Sequence, residues 1–373
     1  MKLRSFVIFF LLLGVLPDVL IAAVLLRGIP LWAKGLICLP TLAVLILLPM
    51  IASGFRYTPA VRTTSYLTFL FQLPKTLFAL VYLCSRSLWG ALVPALSVAG
   101  FFFSLIFIVS KRLKVNRLEI ALKDLPKAFD GLRICQLSDL HLGSFGGGHG
   151  YVRRVVAEAG ALAPDVIFFT GDLVNFQSSD AVSYKEDLAA LKAPLGIFAI
   201  RGNHDYMHHG PFSGDERSAD LLRLKQLEES LGWKLLLDEH VILERDGGRL
   251  AVAGVENTSA NPLFGGGGGD LEKALEGIPE GMFILLLSHD PSHWRSEIVP
   301  DGRAGLTLSG HTHGLKYKLA GLRPQYWRLH ESSGVYREGS QVLHVSPGLG
   351  SSFAFRLGGR PCIDLITLKS ESI

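Results

Sequence analysis

Apolar residues gather into four long runs within the first 110 positions: Ser5–Leu26, Gly35–Ala52, Tyr66–Cys84 and Leu88–Ser110. Each is long enough as a helix to cross a hydrocarbon layer of about 30 Å at about 1.5 Å per residue. Gln72, Pro74 and Lys75 interrupt the third run, which leaves a re-entrant or interfacial segment as its alternative. From Glu119 onward the pattern changes, and short apolar runs alternate with helical periodicity. Leu132–Leu137, Val166–Thr170, Ile197–Ile200, Leu250–Ala253, Phe283–Leu287, Leu306–Leu308, Val342–Val345 and Ile363–Leu368 read as strands. Several are apolar throughout, as strands covered on both faces are. Tyr151–Ala163, Lys185–Leu191, Asp220–Leu231 and Asp270–Glu276 read as helices. The expectation is an all-α membrane domain over 1–112, followed by an α/β domain over 113–373. Gly146–Gly148 and Gly265–Gly269 read as loops, and neither matches a nucleotide-binding fingerprint.

Composition agrees with this division. Of 373 residues, 49% are hydrophobic and 19% charged, and the mean hydropathy is +0.34, which excludes a disordered or wholly water-soluble chain. The net charge of +4 joins two unlike parts. Residues 1–118 hold 12 of the 37 Lys and Arg but one acid, Asp18, whereas the remainder holds 25 basic and 32 acidic residues. An acidic C-terminal part is repelled by a polyphosphate backbone, so no nucleic-acid partner is expected. With the N-terminus inside, the inner flanks of the spans carry Lys2, Arg4, Arg56, Arg62, Lys111, Arg112, Lys114 and Arg117, and the outer flanks carry Arg27, Lys34 and Arg86. That asymmetry places the large domain in the cytoplasm if all four runs span. A cleaved signal peptide fits poorly, because no small-residue cleavage site precedes the second run. Asp18, beside Pro17, has no basic partner within its own run and supports no transport path. Cys38 and Cys84 fall in expected spans and Cys135 and Cys362 in expected strands; without a C-x-x-C spacing they suggest neither a disulfide framework nor a sulfur metal site.

The polar residues at the strand ends carry the chemistry. In order they are Ser138-Asp139-Leu140-His141, Gly171-Asp172, Gly202-Asn203-His204-Asp205, Ser288-His289-Asp290 and Gly310-His311-Thr312-His313-Gly314. Open α/β sheets bind ligands beyond the carboxyl ends of their strands, so five clusters can converge on one place. In extended backbone Asp139 and His141 face one way, as do His311 and His313. Imidazole, carboxylate and amide oxygen without thiolate suit Mn, Fe or Zn. Seven candidate ligands, Asp139, His141, Asp172, Asn203, His289, His311 and His313, are too many for one ordinary centre and suit two ions sharing a carboxylate. A divalent pair about 3.5–4 Å apart can supply hydroxide near neutral pH and clamp the attacking and leaving oxygens of a phosphoester. Arg201 points either toward the site or along the sheet. His208 and His209 either line the cleft or lie in a solvated loop. His293 is expected near the site edge, and His149, His240, His330 and His344 are expected to be ordinary structural histidines.

The pattern D-x-H, G-D, G-N-H-D, H, G-H-x-H resembles the calcineurin-like metallophosphoesterase superfamily over roughly Asp130 to Leu368, without a gap or substitution. The extended forms Leu287–Pro291 and Leu308–Gly314 resemble its membrane-anchored bacterial branch with a multispan N-terminal anchor. The resemblance implies a four-layer α/β/β/α sandwich. It implies one divalent metal on Asp139, His141, Asp172 and His313, and a second on Asp172, Asn203, His289 and His311. It implies that Asn203 and His204 contact the phosphate, that His204 is the general acid, and that Asp205 orients it. The segment Leu315–Lys318 departs from the usual residues and is expected to shape substrate choice. Lys316–His330 mixes basic and aromatic residues, which fits either a lipid headgroup surface or a plain hairpin.

The expected activity is hydrolysis of a phosphodiester or pyrophosphate in a lipid-linked substrate, with no obligate protein partner. The branch that the sequence resembles includes enzymes that cleave the UDP-diacylglucosamine pyrophosphate bond in lipid A synthesis, which makes that sugar nucleotide the leading expected substrate. The alternatives are a phosphomonoesterase or phosphoprotein phosphatase, and a non-catalytic metal-binding membrane scaffold.

Overall fold

The computed structural model describes residues 11–26, 28, 30–144, 148–261, 268–314, 331–352, 355–356 and 360–371. Lys2, Arg4 and Arg27, the glycines 146–147 and 265–267, and the stretches Leu315–Lys318 and Lys316–His330 lie outside the described residues. The chain forms two units. One comprises Met1–Val109 with Phe353–Phe355, and the other Ser110–Ser352 with Arg356–Ile373.

In the first unit, three helices among the described residues are long and apolar enough to cross a membrane: Lys34–Ala52, Tyr57–Ser85 and Leu88–Lys111. The described part of the first apolar run is a shorter helix, Leu12–Ala23. The interrupted third run is helical without a break. A wider π-type turn at Thr68–Gln72 precedes Pro74, which absorbs the amide hydrogen that proline lacks. Gln72 is buried there. Lys75, from another run, answers the charge of Asp18, which has no basic partner within its own run. The ammonium pairs with the Asp18 carboxylate and donates to the Ile37 carbonyl at 3.1 Å and the Thr41 hydroxyl at 3.1 Å. The partner was invisible within one run because it comes from another.

The second unit is a pair of six-stranded sheets. Its strands are β1 (Lys114–Leu122), β2 (Arg133–Leu137), β3 (Val166–Thr170), β4 (Ile197–Ile200), β5 (Lys234–Leu235), β6 (Glu239–Arg245), β7 (Gly248–Gly254), β8 (Ile284–Leu287), β9 (Ala304–Ser309), β10 (Gly334–Glu338), β11 (Gln341–Val345) and β12 (Cys362–Ser370). One sheet has the order β1-β12-β2-β3-β4-β5 and the other β10-β11-β9-β8-β7-β6. β2, β3 and β4 are mutually parallel, as are β7, β8, β9 and β11. Their carboxyl ends therefore line up within each sheet.

Alternation along each strand builds the layers. Val166 and Phe168 of β3 join Ile134, Phe198, Val252, Leu285, Leu308 and Ile366 in a core shared by both sheets. Ile167 and Phe169 face the other way, onto Val152, Val155 and Ala159 of the helix His149–Ala161 and Leu224 of the helix Gly214–Ser230. On the far side, Ala251, Ala253, Leu286 and Leu343 pack with Ala274 and Trp294. Helices thus cover both outer faces, which gives the four-layer α/β/β/α sandwich. A strand such as β3, buried at all five positions, must be apolar on both faces.

Candidate metal centre

The seven expected ligands meet at the carboxyl ends of β2, β3, β4, β8 and β9. His141 Nε2 lies 3.4 Å from Asp172 Oδ2, and His289 Nε2 lies 3.3 Å from the same oxygen. Asp172 therefore stands between two imidazoles from different sheets. His141 also lies 4.0 Å from Asp139, and its ring is 4.9 Å from that of His313. His311 Nδ1 faces Asn203 Oδ1 at 2.9 Å, and its ring is 5.2 Å from that of His289. The donor atoms of Asp139, His141 and His313 lie within 4.8 Å of one another, as do those of Asp172, His289 and His311. A third such group, His141, Asp172 and His204, joins the two.

Backbone conformation shows what this convergence costs. Asp139, His141, Asp172, His311 and His313 all have positive φ, between 46° and 70°. A non-glycine residue there costs about 1–3 kcal/mol and persists only where surrounding structure imposes it. Two glycines let the strand ends close in. A Cβ on Gly202 would lie 2.2 Å from Asp172 Oδ1, and one on Gly310 would lie 2.4 Å from Asp139 Oδ2.

Hydrogen bonds then fix the side chains. His289 Nδ1 donates to the Thr170 carbonyl at 2.7 Å, which turns Nε2 toward Asp172. The backbone N–H of His311 donates to Asp139 Oδ1 at 3.0 Å, and Ser138 Oγ donates to Asp139 Oδ2 at 2.6 Å. The His204 backbone N–H donates to Asp172 Oδ1 at 2.9 Å.

The charges are poised for a cation. Burial opposes ionisation of Asp172, yet the imidazoles of His289, His204 and His141 hold its carboxyl well below the usual range. Burial, opposed by Asp172, holds His141 and His313 well below the usual imidazole range, so both imidazoles are neutral. Burial acts the same way on His289, but Asp172 outweighs it and lifts His289 to about 10. Four imidazole nitrogens, His141 Nδ1 and Nε2, His289 Nε2 and His313 Nδ1, are buried without a hydrogen bond. Buried polar atoms are nearly always satisfied, so these orphans, grouped around two carboxylates, fit divalent cations.

His204 is half-buried, with its ring edge-on to His141 at 4.7 Å. Its Nδ1–H donates to the Asn175 carbonyl at 2.8 Å, which leaves Nε2 to carry a transferable proton. The expectation that Asp205 orients His204 is corrected here. The Asp205 carboxylate accepts the backbone N–H groups of Asp172, Val174 and Gly202 at 2.7, 3.0 and 2.9 Å. It ties the loop after β3 to the loop after β4, and Asn175 orients the imidazole instead. Burial raises the Asp205 carboxyl to about 6.

Other expectations separate. Arg201 turns away from the centre, donating to the Leu221 carbonyl at 3.2 Å and lying 3.5 Å from Glu228. His293 is buried between Ser288 and Glu297. His149, His240 and His344 bond to Asp187, the Ala274 carbonyl and Gln136 respectively. His330 lies outside the described residues. Two contributors went unnoticed in the sequence, Asn175 and Arg356. The buried Arg356 guanidinium donates to the His313 carbonyl at 3.2 Å and the Gly348 carbonyl at 3.2 Å. No local pattern marks it. Asp290, visible in its cluster but given no role, lies 3.6 Å from His311 Nε2.

A four-layer sandwich with buried His and Asp ligands gathered at its strand ends defines a metal-binding α/β hydrolase. Residues 132–315 match the family model described as calcineurin-like phosphoesterase, so the chain carries a calcineurin-like metallophosphoesterase domain. It is 33% identical over 266 residues to a transmembrane protein with metallophosphoesterase domain from Danio rerio, covering 69% of this chain and 57% of that one. It is 28% identical over 299 residues to the uncharacterized metallophosphoesterase YkuE of Bacillus subtilis, covering 77% and 96%. A shorter stretch of 110 residues is 39% identical to the UDP-2,3-diacylglucosamine pyrophosphatase LpxG of Chlamydia muridarum, covering 27% and 32%. The chain therefore spans little more than half the length of the Danio rerio relative. Members of the family bind divalent metals, and the grouped donors of this centre fit that chemistry.

Proposed function

We propose that the protein is a membrane-anchored phosphoesterase with two divalent ions, Mn, Fe or Zn, that hydrolyses a phosphodiester or pyrophosphate bond. One observation carries the reading: two groups of buried donors share the surroundings of a single ionised carboxylate, Asp172, and leave four imidazole nitrogens unsatisfied. Asp139, His141, Asp172 and His313 would hold one ion, and Asp172, Asn203, His289 and His311 the other. The ions would supply the positive charge that binds the phosphate and makes water nucleophilic near neutral pH. The chain's own groups do the rest. Asn203 and His204 contact the phosphate, and the Asn175 carbonyl holds the His204 ring so that Nε2 faces the leaving oxygen. His204 then gives that oxygen its proton.

The three long apolar helices and the relatives named as transmembrane proteins support an anchor in the cytoplasmic membrane. With the shorter helix Leu12–Ala23 counted as a fourth span, the basic flanks support a catalytic domain on the cytoplasmic side. An anchored enzyme suits a membrane-bound substrate, and the partial likeness to the chlamydial pyrophosphatase makes UDP-2,3-diacylglucosamine the leading candidate.

The test uses the full-length protein in detergent, loaded with Mn²⁺. It compares turnover of bis(4-nitrophenyl) phosphate, 4-nitrophenyl phosphate and UDP-2,3-diacylglucosamine. The diester and the sugar nucleotide should both be hydrolysed, and faster than the monoester. A faster monoester would make the protein a phosphomonoesterase. Bound metal without turnover of any of the three would make it a scaffold.

A further inference from the structure

The turn after the Gly202–Asp205 loop belongs to no part of the metal centre, yet it is built against it. The His209 ring lies 4.9 Å from that of His204, which lies 4.7 Å from that of His141. Three imidazoles thus step outward from the buried His141, through the half-buried His204, to the exposed His209. The turn carrying His208 and His209 is fixed at both ends. Met207 is fully buried with φ of 59°. Gly210 passes so near the Phe176 carbonyl that a Cβ would lie 2.2 Å from it, and its N–H donates to the Met207 carbonyl at 3.0 Å. A freely solvated loop needs neither anchor.

A cation completes the group. Arg217, in the first turn of the helix Gly214–Ser230, donates to His208 Nδ1 at 3.0 Å and to the Phe212 carbonyl at 3.1 Å. Because a guanidinium can only donate, His208 Nδ1 must accept, and its hydrogen sits on Nε2. Burial and the neighbouring guanidinium both hold His208 below the usual imidazole range, which agrees with this neutral tautomer. Asp215 and Glu216 are exposed on the same turn, but Arg217 has no carboxylate partner among the described residues. A guanidinium held on the His208 imidazole, without a carboxylate of its own among the described residues, matches phosphate in charge and geometry.

We propose that His208, His209 and Arg217 form a second phosphate subsite beside His204, so that the substrate class is one with two phosphates joined as an anhydride. The inference rests on the phosphoesterase reading above and narrows it from a phosphodiester or pyrophosphate to pyrophosphates, with named residues for the second phosphate. Hydrolysis adds one water across the anhydride. A new P–O bond forms at the phosphorus held by the centre, and the bridging oxygen leaves on the second phosphate. The Arg217 guanidinium offsets the charge that develops there, the neutral imidazoles can donate an N–H to it, and no further reactant is needed.

The test measures equilibrium binding of ADP and of AMP, which differ by the second phosphate, to the Mn²⁺-loaded full-length protein in detergent. The parent should bind ADP at least about tenfold tighter than AMP, and Arg217→Ala should reduce that ratio by about tenfold. Arg217→Lys should keep part of the ratio, and His209→Gln gives an independent route should Arg217→Ala fail to fold. Equal affinities in the parent, or an unchanged ratio in both Arg217→Ala and His209→Gln, would overturn the subsite. Turnover of bis(4-nitrophenyl) phosphate by the same preparation separates the two ideas. A strong ADP preference without turnover keeps the subsite and removes the phosphoesterase reading, whereas turnover without the preference does the reverse.

Discussion

His204 is the residue whose removal should separate chemistry from metal binding. Its Nδ1–H is spent on the Asn175 carbonyl, and only Nε2 remains to serve the leaving oxygen. His204→Ala should lower kcat by about 10²–10⁴ while the metal content stays that of the parent. Steady-state kinetics with elemental analysis checks this; a loss of metal in proportion to activity would show that His204 acts as a ligand. The seven candidate ligands were legible in the sequence because each cluster is local: Asp139 and His141, or His311 and His313, announce themselves within three residues. The orienting groups were not. Asn175 reaches His204 across 29 positions, and Arg356 reaches His313 across 43, through backbone carbonyls that carry no sequence identity. The role expected of Asp205 failed for the same reason, since its partners are three backbone amides.

Among the elements, the helix Gly214–Ser230 braces the loop that carries Asn203 and His204. Its buried Glu228 lies 3.5 Å from Arg201, the residue that leads into that loop. Burial, partly opposed by Arg201 and reinforced by Asp205, raises the Glu228 carboxyl from 4.5 to about 8. Because the folded value exceeds the unfolded one, the fold favours the protonated form. The stability it contributes is complete below the unfolded value and is lost as pH rises through the folded value. Glu228→Gln keeps the site neutral, so its Tm should gain on the parent as pH rises from about 5 to 9. Parallel Tm curves for the two proteins would contradict this. Strands buried on both faces, such as β3 and β4, were read at their observed bounds because burial demands an unbroken apolar run. β5, β6 and β10 were missed: β5 is two residues long, and β6 and β10 are edge strands, β6 half-buried and β10 more exposed, whose polar residues hide the alternation. β1 was missed too, because its first residues, Lys114–Leu118, adjoin the last apolar helix and carry its basic flank.

For the molecule as a whole, the division of charge and hydropathy along the sequence matches two separate units, one of apolar helices and one a four-layer sandwich. Each buries charge in its own way. The helical unit pairs its single acid, Asp18, with Lys75. The sandwich gathers Asp139 and Asp172 with the buried imidazoles of His141 and His289 and the half-buried His311 and His313, an arrangement that makes chemical sense around cations and is strained without them. That difference is the central claim, and metal stoichiometry tests it most directly. The full-length protein in detergent, equilibrated with Mn²⁺ and freed of excess, should retain two ions per chain. Asp172→Ala, which removes the carboxylate common to both ion positions, should retain one or none. Two ions in both proteins, or none in the parent, would contradict the account.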